Sequence, residues 1–186
     1  MLADDWVRQA VAQLELDSRA ALVGGRVLDE RDRVTIGSPV LGMGGIVGMA
    51  LDGCPATEIG YFGLSLSPRN VAALQGGPWV ARRSALADAG SWRSLTEVCL
   101  RLYTDGWRIV WTPHVTARQS SRHTPCVPAR RDLTECARYD HLIQDDPYYN
   151  RFFSLDSARA YQLCLPEERA RALENAFSDK EAMVAA

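Results

Sequence analysis

The sequence predicts an α/β protein, a sheet with helices packed on it, and two adjacent stretches carry that prediction. Leu95, Val98, Cys99 and Leu102 recur at i, i+3, i+4 and i+7, so they line one face of a helix. Ser94 and Glu97 read as a capping box, in which the hydroxyl accepts one orphan amide and the carboxylate another. Gly106 ends the helix, because glycine enters a left-handed C-terminal cap without a side-chain clash. Trp107 to Thr112 is aromatic and β-branched and meets Pro113, which predicts a short buried strand stopping at the proline. A capped helix feeding directly into a buried strand is what a layered α/β unit requires.

The other elements follow in order. Residues 4–16 place Trp6, Val7, Ala10, Val11 and Leu14 at helical spacing behind acids in the first turn, an amphipathic helix for the sheet. Ala20 to Leu28 is a strand around Gly24 and Gly25, ending at a turn from Asp29 to Arg33. Residues 34–51 continue as extended chain interrupted by glycine. Ser84 to Ala89 is a helix closed by Gly90, and residues 131–143 form another. Residues 166–186 make a last helix, with Pro166 in its first turn and Glu167 and Glu168 near its positive end. Ala170, Leu173 and Phe177 line the face expected to cover the core.

Length and charge exclude several function classes. At 186 residues the chain suits one full core. With 47% apolar and 24% charged residues and a net charge of -2, it has neither the field of a nucleic-acid binder nor that of an anionic-membrane binder. The most apolar run, residues 39–51, is glycine-rich and too short to span a bilayer. Asp4 and Asp5 stand where a secretory leader is basic and then apolar. Cys54, Cys99, Cys126, Cys136 and Cys164 are widely spaced and odd in number, which predicts reduced thiols and a cytoplasmic protein.

Ligand motifs are sparse. Gly42, Gly44 and Gly45 approach a dinucleotide fingerprint, but its third glycine falls on Val47 and no helix pattern follows. His123 and Cys126 make half a zinc site without a second pair, so no metal and no other cofactor is expected. Between Gly106 and Arg131 there are five arginines and no acid, and Arg118, Arg122 and Arg130 would clamp a phosphate or carboxylate if they converged.

Val98-Cys99-Leu100-Arg101-Leu102 and Gly106-Trp107-Arg108-Ile109-Val110-Trp111-Thr112-Pro113 resemble the late motif of family-2 glycosyltransferases of the GT-A type. The run from Val71 to Arg83 and the segment Asp145-Asp146-Pro147-Tyr148-Tyr149-Asn150 are similar to the same family. The resemblance covers about residues 4–156 and only the acceptor-side half of such an enzyme. It implies a truncated, mixed GT-A-like sheet flanked by helices over 1–156, with residues 157–186 an added helical extension. In the family an acidic Glu-Asp-x-Asp motif precedes the helix, and the Asp of its first pair takes the acceptor's proton. With Cys99 aligned, those acids fall on Ser94, Leu95 and Glu97, and leucine accepts no proton. The family's metal-binding histidine falls on Gln119 or Ser120, and no Asp-x-Asp for a sugar diphosphate occurs in the sequence.

Two functional readings result. The first is an accessory or partner-dependent subunit that does not transfer sugar by itself, its uncovered sheet buried by a second copy or a partner protein. The alternative is a repurposed small-molecule enzyme or binding protein with Glu97 as acid/base, helped by Arg93, Arg101 or Tyr103. Trp92, Trp107 and Trp111 would then enclose the ligand. By the resemblance, Gly76 and Gly77 let substrate approach the backbone. Trp92, Arg93, Trp107, Arg118 and Gln119 complete the expected substrate site.

Overall fold

The computed structural model describes residues 5–120 and 137–184, with side chains described through residue 176. Seven strands are named in chain order: β1 (Ala20–Leu28), β2 (Val34–Ile36), β3 (Ser38–Leu41), β4 (Val47–Ala50), β5 (Arg69–Val71), β6 (Trp79–Ala81) and β7 (Arg108–Arg118). The helices are α1 (Trp6–Leu16), α2 (Arg83–Ala89), α3 (Leu95–Thr104), α4 (Asp140–Gln144) and α5 (Pro166–Val184). The fold is α/β with a mixed sheet. β1 is its centre, parallel to β7 on one edge and antiparallel to β6 and then β2 on the other. β5 closes the outer edge of β7, and β3–β4 is a separate hairpin.

The two faces of β1 and β7 divide the core, and the register breaks between Ala20 and Leu22 and between Gly24 and Arg26 reverse which positions point to which side. Leu22, Ile109 and Trp111 face α3 and pack with Val98, Cys99 and Leu102. Ala20, Val23 and Val115 face α1 and pack with Ala10 and Leu14. A third cluster joins Val40, Met43 and Ala50 of the hairpin to Tyr149, Phe153 and Leu155, with Ala172 and Leu173 of α5 against it. No helix among the described residues is long and apolar enough to cross a membrane.

The local punctuation operates as expected. Ser94 caps α3 by accepting the Glu97 N–H at 3.0 Å. At its other end Gly106, at φ 88°, and Trp107 return N–H bonds to the carbonyls of Tyr103 and Leu102, a Schellman cap. The strand after it differs from expectation, since β7 does not stop at Pro113. Gly24 faces Trp111 while Arg26 faces Thr116, so residues 112–115 bulge out and pairing resumes to Arg118. Pro113 is tolerated because the bulge requires no ladder bond from it. Its carbonyl accepts the Thr116 hydroxyl at 2.8 Å.

α5 differs as well. The face it turns inward carries Arg169, Ala172, Leu173 and Ala176, while Ala170 is exposed. Arg169 is held there by a bond from Nη1 to the Phe153 carbonyl at 2.8 Å, and the nearby Asp145 and Asp146 favour its charge. Of the helix expected over residues 131–143, the described part is a 3-10 turn, Ala137–Tyr139, running into α4. The remainder lies outside the described residues, as do Arg122, His123, Cys126, Arg130 and Cys136, and the side chain of Phe177.

Candidate functional site

The candidate site is the N-terminus of α3. Its carboxylate, Glu97, is buried, with its side chain 7% exposed. Oε2 accepts the backbone N–H of Arg93 at 3.0 Å, one residue before the N-cap and so displaced from the usual capping-box partner. Oε1 meets Nη2 of Arg101 at 2.5 Å and Nη2 of Arg138 at 3.4 Å. Arg101 also donates through Nη1 to the carbonyls of Ala89 and Ser91. One ion pair thus ties α3 to the end of α2 and to the linker between them. Next to it, Thr96 donates to the Leu74 carbonyl at 3.2 Å, bringing in the loop that leads to Gly76.

The expected substrate residues divide between two places. Arg93 lies on Glu97, and Trp92 stacks edge-on against Trp79, ring centroids 6.5 Å apart, at the edge of the α3-side core. Trp107 packs on that core directly after the Schellman cap. Gly76 and Gly77 both have left-handed φ, 75° and 78°, and the carbonyl of the next residue, Pro78, accepts the Gly25 N–H at 2.9 Å. There glycine serves a turn conformation. Arg118 and Gln119 lie instead beside the β1–β2 hairpin. Arg118 pairs with Asp32 at 2.5 Å, and Gln119 donates to the Thr35 hydroxyl at 3.1 Å. Among the described residues no group of three or more His, Cys, Asp or Glu is placed to hold a metal ion.

A cleft opens elsewhere, and of the described residues that the sequence singled out only Trp111 lines it. Arg26, Ser38, Glu58 and Ser65 complete its polar lining. Arg26 is the residue the sequence reading missed, although it is the only charge in the apolar run of β1, and that contrast was the available signal. Burial and the nearby Arg118 press its pKa down, opposed by Asp32.

Comparison with models of known protein families and with curated proteins finds no match to this chain.

Proposed function

We propose that this chain carries the acceptor-side framework of a family-2 glycosyltransferase of the GT-A type. It acts as an accessory or partner-dependent subunit and does not transfer sugar by itself. The observation that carries this reading is the use made of the three positions where the resemblance puts acids. Ser94 caps a helix, Leu95 packs against the core, and both oxygens of Glu97 are engaged by Arg93, Arg101 and Arg138. A general base must present its carboxylate to the acceptor hydroxyl, whereas Glu97 is 7% exposed and held in ion pairs, which favours a structural use. The scaffold supports the reading as well, since the strand of the Gly106–Pro113 motif runs parallel to the Gly24-Gly25 strand.

Exposed apolar residues support dependence on a partner or a second copy. Val7 and Val11, one turn apart on α1, are 48% and 43% exposed, and β6 bonds only β1 among the described strands. A cytoplasmic location is supported by the free thiols Cys54, Cys99 and Cys164. The test is release of nucleoside diphosphate from uridine diphosphate glucose with Mn2+ and a panel of sugar acceptors. Background release is expected from the purified chain and from Glu97→Gln alike. Turnover that Glu97→Gln abolishes with the fold intact would overturn the proposal in favour of an enzyme using Glu97.

A further inference from the structure

We propose that the cleft beside Trp111 is a binding site for a small monocarboxylate, held by the indole N–H of Trp111 and the guanidinium of Arg26. Trp111 lines this cleft, is only 2% exposed, and its Nε1 has no acceptor among the described residues. An indole nitrogen only donates, so the group that completes it must bring an acceptor. A second such donor stands beside it. The guanidinium of Arg69 lies 5.4 Å from the centre of the indole ring, and its buried Nε is likewise without an acceptor among the described residues. Arg69 reaches the cleft wall through Tyr161, whose hydroxyl takes the Arg69 Nη1–H at 3.0 Å and bonds the Ser38 hydroxyl at 3.2 Å.

Charge selects the kind of acceptor. Arg26 is fixed at the cleft by bonds to neutral groups, from Nε to the Thr116 hydroxyl at 3.2 Å and from Nη1 to the Ala56 carbonyl at 3.0 Å. Neither bond compensates its charge, and burial opposes that charge by more than Asp32 favours it. An anion beside it restores the balance. Glu58 is the one acid among the described lining residues, with Oε1 accepting the Gly60 N–H at 3.2 Å, and its presence favours a single negative charge over two. Unfilled space in the cleft is about 270 Å³ with its open mouth included, and the interior admits groups the size of a water molecule. A planar carboxylate suits that narrow interior better than a tetrahedral phosphate.

This inference is independent of the sugar-transfer reading. The test is a titration of the 15N-labelled chain with sodium acetate at constant ionic strength, following the side-chain N–H signals of its 5 tryptophans. Trp111→Phe assigns the relevant signal. The expected result is a saturable downfield shift of the Trp111 signal alone, with millimolar affinity that weakens about tenfold in Arg26→Gln and less in Arg26→Lys. An unmoved Trp111 signal up to about 100 mM acetate would overturn the proposal. So would an equal shift with sodium chloride, with methyl glucoside, or with inorganic phosphate at lower concentration.

Discussion

Glu97 and Arg101 form a 2.5 Å ion pair one turn apart on α3, and Arg101 extends it to the carbonyls of Ala89 and Ser91. The pair is a clasp at the junction of α2 and α3. Removing the carboxylate leaves a half-buried guanidinium and the Arg93 amide without their acceptor. Glu97→Ala is therefore expected to cost about 2–3 kcal/mol, and Glu97→Gln, which keeps one acceptor oxygen, about 1–2 kcal/mol. Urea unfolding would show these as lower midpoints at unchanged slope.

Gly25 faces the bulge of β7, and a Cβ there would lie 1.9 Å from the Val115 carbonyl oxygen. Backbone would have to move at the centre of the sheet. Gly25→Ala is expected to cost more than about 3 kcal/mol, read as a large fall in thermal midpoint or loss of soluble protein. Gly44→Ala is the control, because nothing lies within 4 Å and only its φ of 60° opposes a side chain. Its cost is about 1 kcal/mol.

The contrast between those two positions also shows what the sequence makes legible. Ser94, Glu97, Gly90 and Gly106 act on their own neighbours, so the limits of α2 and α3 are written locally. β7 passes Pro113 only because Gly25, far away in sequence, makes room for the bulge, and no local pattern records that. The inward face of α5 departs from its apolar spacing for a similar reason, since Arg169 bonds the Phe153 carbonyl, which belongs to a separate segment. At the candidate site, the capping role of Glu97 was legible from its spacing to Ser94. Its guanidinium partner Arg138 was not, because it comes from a separate element. The Arg26–Trp111 cleft is made by strands distant in sequence and by the loop carrying Glu58 and Ser65.

Burial pushes the Cys99 thiol up to about 12, slightly offset by a backbone hydrogen bond involving Leu74. A thiol in that state supplies almost no thiolate near neutrality. Iodoacetamide is expected to leave Cys99 unmodified in the native chain while modifying Cys164, which is partly exposed. Unfolding in guanidinium should release Cys99 to the rate of a free cysteine, as peptide mass spectrometry would record.

Asp146 joins the C-terminal segment to β3, its carboxylate accepting the N–H groups of Leu41 and Tyr148, each at 2.8 Å. Burial raises its pKa above the ordinary 3.8, against the pull of those bonds and of Arg69 and Arg169. The folded chain thus holds this proton more tightly than the unfolded chain. Its contribution to stability is fully present below pH 3.8 and is lost as pH rises through the raised folded value. Asp146→Asn, which does not titrate, should therefore improve relative to the native sequence as pH rises through that window. Paired urea titrations across the acid range check this, and a flat or falling difference would contradict it.

The claim that the described framework does not take a sugar donor is tested most directly by calorimetry. Uridine or thymidine diphosphate is titrated, with Mn2+ present, into the purified chain of 186 residues. The account predicts no heat beyond dilution. A saturating isotherm with about micromolar affinity would contradict it.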